Sequence, residues 1–370
     1  EWPERVIFAH PTEKVSFILG TDYFGEAKKS FLRMAMWDAK QKGGLGLHAG
    51  SKVLKVQSQN NELNDYGILL FGLSGTGKTT LTVHDCGLDS PEEVIIRQDD
   101  VVLLTPTAGA CGTENGFFIK TEGLDASQKV LYDAACSSTS IFENVELNDQ
   151  NDLNFDDTDL TTNGRGIVLR ENVAGTDDSI DLDRVNAMIF ITRRDDIIPA
   201  CARLSRAQAA AFFMLGESIE TSAGDASKAG QAKREVGTNP FIIGDEASEG
   251  NRLLEILENH PNLECYLLNT GNVGKSDSND GKKLTIAHST GVLREIAKGT
   301  LEFERDPFWG YDVAVSGKSV DLRDVDPRRF YSTDDLMTRN RTLRDDRMAW
   351  LSQFKGLDQR IIDTIQKAGL

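Results

Sequence analysis

Short apolar runs, each bounded by polar turn-forming residues, punctuate the whole chain. Tyr66–Phe71 (YGILLF) is nearly continuous and reads as a buried strand. Lys14–Gly20 (KVSFILG) reads as another, followed by a turn and a helical stretch from about Glu26 to Lys40. Glu93–Ile96 and Val101–Leu104 are short strands around an acidic pair, and Phe117–Lys120, Ala187–Thr192 and Glu264–Leu268 add more. Helical periodicity marks Ser127–Cys136, Arg206–Glu217, Glu249–Glu258, Ser289–Lys298, Asp345–Phe354 and Asp358–Ala368. Within these, Ala207–Leu215 is apolar apart from Gln208 and reads as a buried helix. Interspersed strands and helices predict an α/β or α+β fold, mixed, with a large central sheet.

Between Glu143 and Asp183 the chain is rich in Asp, Asn and Thr. The run that starts at Asp149 lacks the glycine an EF-hand loop needs at its sixth position, so hairpins with solvated charges are expected instead of a calcium site. Ser276–Gly281 (SDSNDG) reads as a loop. No internal repeat is visible.

Charge narrows the classes of partner. The 370 residues carry 41 Lys+Arg against 58 Asp+Glu, a formal net charge of −17. So acidic a surface repels phosphate backbones and anionic membranes, which argues against nucleic-acid and membrane partners. The acid excess suits solubility in high salt as well as it suits an ordinary solvated surface. Five cysteines, Cys86, Cys111, Cys136, Cys201 and Cys265, form no Cys-x-x-Cys pair, which fits a reducing cytoplasm and offers no zinc site. No apolar run approaches the roughly 18 residues of a membrane helix. No signal peptide precedes Glu1, and no initiator Met either, so the numbering is expected to begin inside a longer protein.

The most specific chemical signal is Gly72-Leu73-Ser74-Gly75-Thr76-Gly77-Lys78-Thr79, which fits G-x-x-x-x-G-K-[ST]. Its glycines let backbone N–H groups turn inward around phosphate oxygens, Lys78 places a positive charge on the β and γ phosphates, and the Thr79 hydroxyl can ligate Mg²⁺. A buried strand ends at Phe71, and Thr79-Thr80-Leu81 can open a helix. Such a loop needs a carboxylate for its metal, and Asp99-Asp100 follows an apolar strand about twenty residues on. Because side chains alternate along a strand, only one of that pair is expected to face the site directly.

Phe71–Leu81 (FGLSGTGKTTL) resembles the kinase loop of the ATP-dependent phosphoenolpyruvate carboxykinases nearly letter for letter. The resemblance extends to Gly20–Lys29, similar to that family's G-T-x-Y-x-G-E-x-K-K segment, and to Leu47-His48, where the family has its metal-binding histidine. It continues through Asp99-Asp100, Asn115–Thr121, Thr162–Arg165 and Tyr266–Gly271, in the family's order over about residues 18–300.

The resemblance implies a P-loop catalytic domain with a mixed central sheet. On that reading, residues 1–44 are the end of the family's N-terminal substrate domain and 45–370 the nucleotide-binding catalytic domain. The implied reaction converts oxaloacetate and ATP to phosphoenolpyruvate, ADP and CO₂, a step of gluconeogenesis, with Mg²⁺ and Mn²⁺ as metals. Lys29, His48 and Asp100 are the implied Mn²⁺ ligands. Thr79 and Asp99 stand where the Mg²⁺ of the nucleotide is held. Lys78 and Arg165 supply positive charge at the transferred phosphoryl group, and Ser74 lies within the loop that orders it. Lys28 and Lys120 assist at the substrate and the γ-phosphate, and Tyr23 contacts the substrate carboxylate or CO₂. Thr80 completes the loop, and Lys283 and Ser289 fall near the expected adenine contacts. A cytoplasmic monomer or small oligomer is expected, with small-molecule substrates only.

The chain also departs from the pattern. No R-S-P-K-D motif, which carries the family's substrate-gripping arginine, occurs, so the chain is a fragment, or a partner supplies that surface, or substrate binding is altered. Val101-Val102 stands in place of E-H-G-W, and Ile191–Pro199 differs from L-T-x-D-A-F-G-V-L-P. Lys283 replaces an arginine and Ser289 a threonine; lysine supplies charge but no planar guanidinium to stack on a base. Two other readings compete: a phosphotransferase of the HPr kinase type on the same scaffold, and a non-catalytic ATP-binding protein derived from the carboxykinase.

Overall fold

A computed structural model describes residues 4–368 apart from 59, 74, 149, 151, 156–158, 160, 162, 220–231 and 277–278. Its centre is an eight-stranded mixed sheet in the order Glu302–Arg305, Asp312–Ser316, Cys201–Leu204, Glu264–Asn269, Ala187–Thr192, Leu63–Phe71, Ala49–Gln57, Glu93–Gln98. The strand Ala187–Thr192 runs parallel to both of its neighbours, and the remaining pairs are antiparallel. The expected mixed α/β class with a large central sheet is what the chain adopts.

Where the strands pair in parallel they are largely apolar, as burial on both faces requires. Ala187–Thr192 is buried at every position, and Ile68–Phe71 are at most 1% exposed. One face of the sheet packs on the helix Arg206–Leu215, almost wholly buried as its composition predicts, together with Glu246–Asn259. The other face carries the short helix Lys78–Val83 and the helix Ile286–Lys298. The helix Phe24–Gln41 packs on a separate three-stranded sheet made of Leu45–Leu47, Val102–Leu104 and Ala110–Gly112.

Several boundaries differ from the sequence reading. The helix expected over Asp345–Phe354 spans Thr333–Leu351, capped by Ser332, whose hydroxyl accepts from the amide of Asp335. Its buried stripe includes Asn340 and Arg347, which hide the apolar period. The helix expected over Arg206–Glu217 stops at Leu215, because Gly216 adopts a left-handed φ of 44° and the chain turns into the strand Glu217–Ile219. The two short strands expected around the acidic pair are Glu93–Gln98 and Val102–Leu104, and they belong to different sheets. The acidic, Asn-rich region does contain a small hairpin, Glu146–Leu147 with Leu153–Asn154. All five cysteines are unpaired, and among the described residues no helix is long and apolar enough to cross a membrane.

Candidate active site

Residues 72–79 connect the central strand Leu63–Phe71 to the helix Lys78–Val83. Gly75 and Gly77 have φ of 78° and 92°, backbone a side chain would strain, so both glycines are required by the turn itself. Gly72 lies so close to Thr76 that a Cβ would come within 2.4 Å of its hydroxyl. The Thr76 hydroxyl donates to the carbonyl of Leu73 (2.7 Å). From outside the loop, the Thr270 hydroxyl donates to the carbonyl of Thr76 (2.7 Å), and Arg193 Nη1 to that of Gly75 (3.0 Å). Three hydrogen bonds thus brace the loop, two of them from outside it. Ser74 lies outside the described residues.

A cleft of about 460 Å³ opens over the loop. Lys78, Thr79 and Thr80 line it, and so do Tyr23, Lys28, Lys29, His48, Asp99, Asp100, Lys120 and Arg165. Residues spread over more than 140 positions of sequence therefore converge on one cavity. Gly72, Leu73, Gly75 and Gly77 complete the floor, whereas Thr76 is buried beneath it. Lys283 and Ser289 are not part of this wall: Lys283 is exposed on the short strand Lys282–Lys283, and Ser289 is buried in the first turns of the helix Ile286–Lys298.

Both members of the acidic pair face the cleft, which corrects the expectation that only one would. The strand Glu93–Gln98 ends before them, so strict alternation no longer applies. Asp99 Oδ2 accepts from the Thr79 hydroxyl (3.1 Å), while its Oδ1 is out of reach of solvent and has no hydrogen-bond partner. Burial, reinforced by the charges of Asp100 and Glu114, pushes the Asp99 carboxyl up to about 6 against the pull of Lys78. An unpartnered carboxylate oxygen beside a threonine hydroxyl, at the end of a phosphate loop, fits the coordination of a nucleotide-bound Mg²⁺.

Asp100 behaves oppositely. Burial would raise it, but the contact with His48 and the charges of Lys28 and Lys78 hold it well below the usual carboxylate range. Lys28 Nζ lies 2.6 Å from Asp100 Oδ2 and 2.7 Å from Glu114 Oε1, over the ring of Phe118 at 4.4 Å. Burial pulls Lys28 down, yet its two carboxylate partners more than offset this and hold it above the ordinary lysine value. Glu114, a neighbour the sequence reading passed over, is itself raised by burial despite Lys28.

His48 Nδ1 sits 2.6 Å from the carbonyl of Thr238, which assigns the proton to Nδ1. Nε2 faces the cleft, 3.2 Å from Lys78 Nζ and 3.3 Å from Asp100 Oδ1. The ring stands edge-on to Phe241, a wall residue absent from the sequence reading. Lys29 stands one residue past Lys28, 4.0 Å from Glu26 Oε2 and over the Tyr23 ring at 5.1 Å. Tyr23 in turn folds over Gly25, where a Cβ would lie 2.3 Å from its ring. Imidazole, carboxylate and amine make a donor set that suits a first-row divalent ion such as Mn²⁺. Among the described residues no group of three or more His, Cys, Asp or Glu is gathered for a metal, and Lys29 lines the same cleft as His48 and Asp100.

Opposite these groups, the strand Arg165–Leu169 pairs antiparallel with Gly116–Lys120, placing Arg165 directly across from Lys120. Arg165 Nη1 donates to the carbonyl of Gly164 (2.8 Å), and Lys120 is paired with Glu122. Five cations, Lys28, Lys29, Lys78, Lys120 and Arg165, therefore line one cleft of a strongly acidic chain.

Fold and loop together define a P-loop protein of mixed α/β class. A family model described as phosphoenolpyruvate carboxykinase matches residues 1–323. Among curated relatives, a phosphoenolpyruvate carboxykinase (ATP) of Aeropyrum pernix is 36% identical over 332 residues, covering 88% of this chain and 66% of that protein. Proteins of the same name from Rhizobium leguminosarum bv. trifolii and Brucella melitensis biotype 1 are 30% and 27% identical, covering 88% and 98% of this chain. The chain belongs to the ATP-dependent phosphoenolpyruvate carboxykinase family. It spans 66%, 59% and 63% of the lengths of these three relatives.

Proposed function

We propose that this chain carries the catalytic site for the ATP-dependent conversion of oxaloacetate to phosphoenolpyruvate, ADP and CO₂. The observation that carries the reading is the convergence of Lys28, Lys29, His48 and Asp100 on the same cleft as Lys78 and Thr79. A simple phosphotransferase has no use for a second metal-suited donor set beside its phosphate loop.

In the reaction, the bond to the departing carboxylate breaks and its electron pair remains as an enolate. The enolate oxygen attacks the γ-phosphorus, and the bond to the β–γ bridging oxygen breaks to release ADP. When bound, Mn²⁺ held by Lys29, His48 and Asp100 would stabilise enolate charge, and Mg²⁺ held by Thr79 with Asp99 would neutralise phosphate charge. The chain's own residues do the rest by position and charge. Lys78 and the loop amides hold the triphosphate, while Arg165 and Lys120 approach it from the facing strands. Lys28 stays protonated through neutral pH and offers its charge to a substrate carboxylate. Tyr23, set by Gly25, closes the wall beside Lys29. The fixed Nδ1–H of His48 keeps Nε2 directed into the site. On this reading residues 1–44 end a substrate-gripping part and 45–370 form the catalytic part. The unpaired cysteines support a reducing, cytoplasmic setting.

The test is to supply the purified chain with oxaloacetate, ATP, Mg²⁺ and Mn²⁺ and to follow phosphoenolpyruvate, with Lys29→Ala in parallel. Product that requires Mn²⁺ and disappears in the variant is the expected result. ATP binding without product would reject autonomous activity and leave the reading of a non-catalytic ATP-binding chain.

A further inference from the structure

Lys52 is a fully buried lysine that meets no carboxylate among the described residues: it is 0% exposed, in the middle of the strand Ala49–Gln57. Its Nζ donates to the carbonyl of Leu81 (2.5 Å), to that of His84 (2.9 Å) and to Cys86 Sγ (3.2 Å). The three N–H groups of an ammonium thus meet three acceptors. Leu81 lies in the helix Lys78–Val83 and His84 caps it, so Lys52 neutralises the carbonyl end of the very helix whose first turn holds Lys78 and Thr79. Burying an ammonium without a counter-ion is costly, and the helix end is what offsets it.

The same segment of chain touches this helix at two further points. Gly50 faces Thr82 so closely that a Cβ would lie 2.1 Å from its hydroxyl, and that hydroxyl donates to the carbonyl of Lys78 (2.9 Å). His48, immediately before the strand, meets Lys78 Nζ at 3.2 Å. The segment His48–Lys52 therefore meets the helix at Lys78 and again towards its C-terminal end.

We propose that Lys52 is a positioning residue for nucleotide binding, which fixes from the interior the depth at which Lys78 and Thr79 meet the phosphates. The inference rests on the nucleotide-binding reading of the loop. It is tested by titrating Mg²⁺–ATP into the wild-type chain, Lys52→Met and Gly50→Ala by calorimetry, well below each protein's unfolding temperature. Loss of the ammonium, or a wedge at Thr82, is expected to raise Kd about tenfold or more while unfolding stays cooperative. A lower Tm with Kd within about twofold of wild type would make Lys52 purely structural and overturn the proposal. If Lys52→Met does not fold, Lys52→Gln decides by the same criterion, and Gly50→Ala shows separately whether moving the helix with the lysine in place changes Kd. A wild-type chain that binds no Mg²⁺–ATP would overturn the nucleotide reading along with the inference, whereas equal binding by all three proteins overturns the inference alone.

Discussion

The Nδ1 atom of His48 lies 2.6 Å from the backbone carbonyl of Thr238, 190 residues further along the chain. A backbone acceptor cannot be removed by changing the Thr238 side chain, so the tautomer of His48 is fixed by the fold. Replacing His48 with Ala is expected to weaken Mn²⁺ binding by at least about tenfold, with a smaller loss of nucleotide affinity. Paramagnetic titration of free Mn²⁺ checks this; unchanged Mn²⁺ affinity would remove His48 from the metal set.

Asp99 gives a prediction whose sign depends on the metal. Its folded carboxyl is raised to about 6, so without a cation its ionisation opposes folding. Its favourable contribution is complete below pH about 4 and is lost as pH rises through about 6. Asp99→Asn should therefore raise the Tm of the metal-free protein at pH 7.5, by an amount worth at most on the order of 3 kcal/mol. The same variant should lose the stabilisation that Mg²⁺ gives the wild type. Thermal unfolding with and without Mg²⁺ measures both, and a lower Tm in the metal-free variant would contradict the account.

Glu217 and Arg347 form a buried pair with the opposite sign. Arg347 is 0% exposed, donates to Glu217 Oε2 from Nε at 3.0 Å, and is packed between Phe212 and Trp309. Burial would raise Glu217, but Arg347, Arg234 and Arg194 outweigh it and hold the carboxyl at about 2. The stability this lends is present above the ordinary glutamate value and is lost as pH falls from about 4.5 towards 2. Arg347→Met leaves the buried carboxylate with Arg234 as its remaining direct partner, 3.1 Å away, and should cost up to about 3–5 kcal/mol at pH 7, much of it regained in the double variant with Glu217→Leu. Urea unfolding at pH 7 and pH 3 tests the pair; a single variant as stable as wild type at pH 7 would show that it contributes little.

Gly25→Ala should act on chemistry more than on nucleotide binding. A methyl group there would displace the Tyr23 ring and, with it, the contact to Lys29. A loss of about tenfold or more in kcat/KM for oxaloacetate is expected, with ATP affinity little changed. Equal kcat/KM in the variant would exclude Tyr23 as a substrate contact.

The legible parts of the sequence were those whose meaning is local. The glycine and lysine spacing of the phosphate loop, and the apolar runs Tyr66–Phe71 and Ala187–Thr192, carry their own geometry. The strand Ala49–Gln57 was passed over because Ser51, Lys52 and Lys55 interrupt its apolar positions, although Ser51 and Lys52 are buried. Nothing in the sequence says that a helix end waits to receive Lys52. The start of the helix at Thr333 was hidden for the same reason, since Asn340 and Arg347 occupy core positions. At the site, Lys28, Lys29, His48 and Asp100 were named by family resemblance, and their convergence is a tertiary fact. Glu114 and Phe241 had no such signal: one acts through Lys28, the other only as a wall beside His48.

The brace from Thr270 to the carbonyl of Thr76 spans 194 residues. The strand that carries the phosphate loop also relies on Ala187–Thr192 for its parallel neighbour. During synthesis the loop therefore leaves the ribosome long before the parts that shape it, and local contacts alone do not build it. The full bracing of the loop is in place only once the chain has been made past Thr270, so a triphosphate that binds there would stabilise chains longer than that and not earlier nascent forms.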